Sequence, residues 1–440
     1  MSAADRLAPV AVALLLLLAG CGSGPGGGTA TEAPATTDGA SPEPTAGGDG
    51  TATATDGSGA ETTASPTPEA ATPTPADSAS AAPTYAVTVE NGTLPVNATR
   101  TYARVQSLLD SDTEPWPVRV RNLSEWRRSV QRVGASPLNR ALGFENVSVD
   151  WSEPTGVTRF GAVYVHPGDG SAGKTERILA HEFVHLVQYR TTMLPWTGRL
   201  NQPRLTTDRL KTRRSLVEGG AVYVADVYAH RYLDVRNNSA YVRDLYRNGS
   251  ATYRSALAQY RFGAQYVARR IDDPANLSGA YEDYPRTTEQ VIHNYSRSEE
   301  PPATLSVTVG NTTDGWASLG NNTLGEMTTR TALGTELDYD RAAAAATGWG
   351  TDHLAVFQHA ENDSRFGWAW VMRWDTAAEA AELETALDDY ASARDRASAA
   401  DFRVVSLDDR TVALVFGDSD FVTDATVVET DGNVTVAVGE

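Results

Sequence analysis

The apolar residues fall into four stretches of different character. A continuous apolar run fills residues 7–18, short for a membrane span and of the length of a signal-peptide core. Residues 22–84 are Gly, Ala, Thr, Ser, Pro, Asp and Glu with almost nothing large. Such a segment buries too little apolar area to offset its chain entropy, and it reads as a disordered stalk. Periodic patterns begin at Tyr85. Alternation predicts strands at 85–89, 118–121 and 162–165, and helical spacing predicts helices at 100–109 and 123–133. Helical patterning then dominates from 174 to about 271. A second patterned region, 301–440, follows the break Glu299-Glu300-Pro301-Pro302. It predicts strands at 305–309, 354–358, 368–373, 402–406, 412–416 and 426–429, and an Ala/Glu/Leu-rich helix over 375–390. The expected class is α+β, with one domain over 85–300, a smaller α+β domain over 301–440 and no internal repeat.

Charge and cysteine usage place this pattern outside the cell. The chain carries a net charge of -19, and Lys174 and Lys211 are its only lysines. Acid excess with scarce lysine is a habit of proteins from brines, where an acidic surface keeps its water while salt screens charge. It excludes nucleic acid as a natural partner. Cys21 is the only cysteine, so no disulfide forms within the chain. The tetrad Leu18-Ala19-Gly20-Cys21 resembles a lipobox, which implies removal of residues ahead of Cys21 and a lipid on its thiol. A single acyl chain holds a bilayer only marginally, so firm anchoring needs a second chain or signal. An uncleaved anchor would leave the protein on the same side of the membrane. About a dozen Asn-x-Ser/Thr triplets, Asn91, Asn97 and Asn433 among them, fit an exported glycoprotein.

The chemistry sits in His181-Glu182-Phe183-Val184-His185. Positions i and i+4 share a helix face, so the two imidazoles can present nitrogens to one metal ion. Glu182, on the next position round, can take a proton from water at that metal and pass it to a leaving amine. Ile178, Leu179, Phe183, Leu186 and Val187 give the helix an apolar face. Zinc in hydrolytic sites takes three protein ligands, and Glu218 in Ser215-Leu-Val-Glu-Gly-Gly-Ala221 is the candidate third. The paired glycines would let its helix approach the first. Ser215-x-x-Glu218 also satisfies a capping box, in which the glutamate only bonds a helix N-terminus. Asp208, Asp226 and His230 are the other ligand candidates. For the oxyanion of a tetrahedral intermediate, Tyr260 is the first candidate, beside Tyr223, His230 and His293; an aromatic at that spacing also suits a core.

The H-E-x-x-H helix followed by Glu218-Gly-x-Ala resembles the gluzincin branch of zinc metallopeptidases. The resemblance implies a zincin-like domain over 85–300, zinc held by His181, His185 and Glu218, Glu182 as general base, and a peptide or protein substrate. Where the thermolysin pattern has an aspartate supporting a histidine, this chain has Val222, so support must come from elsewhere. Pro285 to His293, Leu324-Gly-Glu326, Gly348-Trp-Gly-Thr-Asp352 and Trp374-Asp375 resemble segments of an uncharacterised family of surface lipoproteins of halophilic archaea. The expected activity is zinc-assisted peptide hydrolysis on the outer face of the cell membrane. The alternative is a zinc-binding surface or assembly protein that keeps the fold without turnover.

Overall fold

The computed structural model describes residues 85–123, 136–146, 153–159, 161–191, 193–196 and 205–439. The signal segment with Cys21, the stalk and, apart from Leu123, the helix expected at 123–133 lie outside the described residues. The architecture is mixed α+β with several sheets. Among the described residues no helix is long and apolar enough to cross a membrane.

The first half builds a helical layer on a small mixed sheet. Strand β1 (Val89–Glu90), helix α1 (Ala98–Leu109) and strand β2 (Val118–Val120) form a crossover unit, because β1 and β2 pair in parallel. The strand expected at 85–89 is reduced to its end: the Val87 amide is taken by the Thr99 hydroxyl of α1, 3.0 Å away, instead of a ladder partner. Helix α1 starts where the Asn97 side chain accepts from the Arg100 amide. Tyr102, Val105 and Leu108 of its apolar stripe are buried. The short helix α2 (Pro137–Ala141) follows, then an antiparallel hairpin of β3 (Thr155–Arg159) and β4 (Ala162–His166). The sheet order is β1-β2-β4-β3, so β3 is an edge.

Four long helices complete this half: α3 (Ala172–Arg190), α4 (Thr207–Tyr232), α5 (Asn238–Asn248) and α6 (Ala251–Ala268). Each begins at a Ser, Thr or Asn whose side-chain oxygen accepts a backbone amide of the first turn, at Ser171, Thr206, Asn237 and Ser250. Helix α4 crosses α6 with almost no gap, since a Cβ on Gly219 would lie 2.2 Å from the Gly263 carbonyl carbon. A 3-10 helix, Pro274–Tyr281, and helix α7 (Thr288–His293) lead out of the layer.

The second half is a two-sheet sandwich with helices on one side. It contains β5 (Ser306–Thr312), β6 (Trp316–Asn322), α8 (Glu326–Leu333), α9 (Tyr339–Ala346), β7 (Trp349–His359) and β8 (Asn362–Trp374). It continues with α10 (Ala377–Ala397), β9 (Asp401–Ser406), β10 (Thr411–Gly417), α11 (Ser419–Asp424), β11 (Ala425–Thr430) and β12 (Asn433–Val438). The antiparallel sheet β6-β7-β8-β10-β9 buries one face under α10 and the other against the sheet β11-β12-β5. Leu142 and Phe144, just after α2, are buried in the helix-side core of this half. The Tyr390 hydroxyl of α10 donates to the Leu142 carbonyl at 3.1 Å.

The two halves also meet at the first turn of α4. The Asn322 side chain at the end of β6 accepts from the Thr207 amide at 2.8 Å, and the Asp208 amide donates to the Thr323 carbonyl at 2.9 Å. Asp352 of β7 accepts the amides of Leu324 and Gly325 at 2.8 and 2.7 Å and the Trp349 indole at 3.0 Å. Gly325 has φ +80°, and a Cβ there would fall 2.0 Å from an Asp208 carboxylate oxygen. The second half thus grips the base of the helix that carries Glu218.

Candidate metal centre

His181 and His185 lie on one face of α3, in the middle of its run of buried residues 175–188. Edge-to-face packing of Tyr102 on Phe183, with ring centres 4.9 Å apart, fixes the opposite side of the helix against α1. Glu218 faces the two histidines from α4. The His181 and His185 Nε2 atoms are 3.1 Å apart, His185 Nε2 is 3.2 Å from Glu218 Oε2, and His181 Nε2 is 3.5 Å from it. All three side chains are buried, with both histidines at 0% exposure. Among the described residues this is the group of His, Asp and Glu side chains whose ligand atoms all converge within 4.8 Å.

The spacing tests the fit of a metal ion. Zinc bound at about 2.0–2.1 Å in a tetrahedron holds neighbouring donor atoms about 3.3 Å apart. The three separations here bracket that value. Two imidazole nitrogens and a carboxylate oxygen turned toward one another repel through their lone pairs unless a cation or proton lies among them. Burial holds His181 down, to about 4. Burial opposes charge on Glu218 as well, but the charge of His185 and the hydrogen bonds of both histidines outweigh it and keep the carboxyl ionised.

Glu182 is fully buried beside the ligands. Thr158 of the edge strand β3 reaches it: the Thr158 hydroxyl is 2.7 Å from Oε2 and 2.9 Å from the Glu182 carbonyl. The other oxygen, Oε1, meets no donor among the described residues. Burial raises the carboxyl to about 7, the range suited to a base working near neutral pH. Gly156, also on β3, makes room for it, since a Cβ there would lie 2.4 Å from Glu182 Cγ.

Support for His185 comes from its own helix. Its Nδ1 lies 2.8 Å from Gln188 Oε1, and the Gln188 amide donates to the Val217 carbonyl at 2.9 Å and the Tyr281 hydroxyl at 2.7 Å. Nδ1–H donates to the amide oxygen, which turns Nε2 toward the centre; burial opposes charge on the ring, but the Glu218 carboxylate outweighs it and raises His185 to about 9, so in the metal-free chain Nε2 carries a proton that a cation would displace. Gln188 therefore fills the role left open by Val222, which is buried in apolar packing with Ile178 and Tyr260. Gly220 is needed here, because a Cβ would lie 2.1 Å from the Tyr281 hydroxyl. The glycine pair thus works differently from expectation: Gly219 admits α6, and only Gly220 faces the metal helix side.

The remaining candidates sort by position. The capping-box alternative for Glu218 does not hold, because α4 starts at Thr207 and Ser215, two turns in, donates to the Lys211 carbonyl. Asp208 is bound to Thr288, Asp226 accepts the amides of Asn238 and Ser239, and His230 is exposed at the far end of α4. Tyr223 donates to the Ile271 carbonyl, and His293 bonds Glu326. Tyr260 does reach the centre. Its ring stacks on His181 with centres 6.4 Å apart, and it is 2% exposed. A second phenol, not anticipated from sequence, lies on the other histidine: Tyr189 stacks on His185 at 6.0 Å and 14° while 40% exposed. Arg214, one turn before Glu218, brings its Nε to 4.0 Å from Oε1.

The sequence family described as "Domain of unknown function (DUF8575)" matches residues 311–440. That span covers most of the second half and contains none of the metal-centre residues. No curated protein matches the chain, and no solved structure does.

Proposed function

We propose that this chain is a zinc-dependent peptidase of the gluzincin kind, with a zincin-like catalytic half, exported and anchored through lipid at Cys21 to the outer face of the membrane. The observation that carries the proposal is the convergence of His181, His185 and Glu218 at the spacing of a tetrahedral zinc site. Zinc, when bound there, would supply Lewis acidity for a scissile carbonyl and for a water. The chain supplies the proton handling. Glu182 Oε1, with no donor of its own, takes the proton from the water and returns it to the leaving amine, while Thr158 holds Oε2. Tyr260, against His181, is the candidate donor to the developing oxyanion. Gln188 and Tyr281 keep His185 oriented.

The second reading is a surface protein that binds zinc and cuts nothing; the complete burial of both histidines favours it. Cleavage of a mixed peptide library, read by mass spectrometry in multimolar salt, separates the two. The expected outcome is cleavage by the wild type and none by Glu182→Gln, with zinc in both. Silence from a zinc-loaded wild type would transfer the site to the binding reading.

A further inference from the structure

The first turns of α4 are basic within a chain of net charge -19: Arg209, Lys211, Arg213 and Arg214 occupy six consecutive positions. Three of these are engaged elsewhere. Arg209 donates to the Pro285 and Arg286 carbonyls, Lys211 to the Ser255 hydroxyl, and the Arg213 guanidinium lies 5.4 Å from the centre of the Trp196 ring. Arg214 differs. Among the described residues its guanidinium makes no hydrogen bond, its one charge contact is the 4.0 Å approach to Glu218 Oε1, and its side chain is only 16% exposed.

A guanidinium on a mostly covered side chain, with no hydrogen bond of its own among the described residues, suits an anion from outside the chain. It stands one carboxylate away from the histidine nitrogens, because Glu218 gives Oε2 to the histidines and Oε1 to Arg214. Solvent reaches this side of the group at Tyr189, whose ring stacks on His185 while 40% of its surface is exposed, and whose hydroxyl has no partner among the described residues. Tyr189 against His185 and Arg214 against Glu218 thus flank the same pair of facing side chains.

Resting on the peptidase reading, we propose that Arg214, assisted by the Tyr189 hydroxyl, binds a carboxylate of the substrate peptide beside the metal centre and so sets its specificity. The planar fork of Arg214 can donate to both carboxylate oxygens, and low exposure protects the pair from the screening of concentrated salt. The carboxylate is either the peptide C-terminus, which makes the enzyme an exopeptidase, or an Asp or Glu side chain near the cut, which makes it an endopeptidase of acidic sequences.

The test is calorimetric binding of N-acetylated tetrapeptides to the full-length Glu182→Gln protein, zinc-loaded and metal-free. The peptides are neutral with a free C-terminus, neutral and amidated, amidated with an internal Glu, and amidated with Gln in its place. One carboxylate form is expected to bind about 10- to 100-fold tighter than its neutral counterpart. Arg214→Gln should remove that gain with zinc content and circular dichroism unchanged, and Tyr189→Phe should reduce it severalfold. Should Arg214→Gln fail to fold, Arg214→Lys, which keeps the charge and loses the fork, should keep only part of the gain. Equal binding of charged and neutral forms, or a gain that survives Arg214→Gln, overturns the assignment of Arg214 while leaving the peptidase reading standing. Failure of the zinc-loaded proteins to bind or cut any peptide defeats the peptidase reading, and this proposal with it.

Discussion

Two buried polar regions sit on α4, ten residues apart in number and opposite in design. At the base of the helix, the Asp208 carboxylate receives the Thr288 amide and hydroxyl at 2.8 and 2.6 Å, Asp352 receives two amides and an indole, and Glu326 receives His293 and Arg330. Those three acceptors point at donors. At Glu218 the acceptors point at one another. The contrast shows that a buried carboxylate by itself identifies nothing. Three potential ligand atoms turned to one point, where a proton or a cation must stand among them, are what suit a metal ion.

Removing a convergent acceptor tests this most severely. Glu218→Ala should lower zinc affinity by about a thousand-fold or more, measured by competition with a chromogenic chelator; unchanged affinity would mean that zinc sits elsewhere. A smaller effect is expected from the residue that orients a ligand without touching the metal. Gln188→Leu should cost about 10- to 100-fold in zinc affinity and leave the secondary structure intact by circular dichroism.

The smallest effect belongs to the base of the helix. Glu289 on α7 is 2% exposed, and burial, followed by the charges of Glu326, Asp375 and Glu300, raises it from 4.5 to about 10. Its folded-state value exceeds the unfolded one, so the folded chain holds a proton that the unfolded chain releases between those limits. Its contribution is fully present below the lower limit and is lost as pH rises toward the upper one. Glu289→Gln should therefore stabilise the protein by roughly 1–3 kcal/mol at pH 8 and flatten the fall of stability with pH, followed by chemical denaturation. An unchanged pH slope would show that Glu289 stays solvated.

How much of this was legible beforehand follows from locality. His181, Glu182 and His185 declare themselves because helical geometry turns sequence spacing directly into spatial spacing. Glu218 stood as the first of several candidate third ligands, since no local spacing links it to the histidines, and the structure brings it to them. Thr158 and Gly156 were missed because Thr155–Arg159 lacks the alternation of a half-buried strand, being covered on both faces. Gln188 carried a usable signal, a polar residue three positions after His185 within an apolar helix face. Tyr189 and Arg214 carried none beyond their neighbours in the motif. β6 escaped notice because its Gly and Asn residues read as a turn, whereas the helix expected at 375–390 starts at Ala377 since Thr376 and Glu379 form a capping box. The segments 285–293, 324–326, 348–352 and 374–375 were recognisable and unexplained. They meet at the junction of the halves, where Thr288 bonds Asp208, Glu326 bonds His293, Asp352 binds the turn before α8, and the Asp375 amide donates to the Gly348 carbonyl.

Helix α4 is clamped at its first turn by the second half and holds Glu218 in its fourth, while both histidines ride on α3, which is seated against the small sheet. The three candidate donor atoms therefore come from two helices with different footings, which also touch each other through the Gln188 amide on the Val217 carbonyl. A cation held among the three would thus tie together two helices that answer to different parts of the fold, α3 to the small sheet and α4 to the outer sandwich.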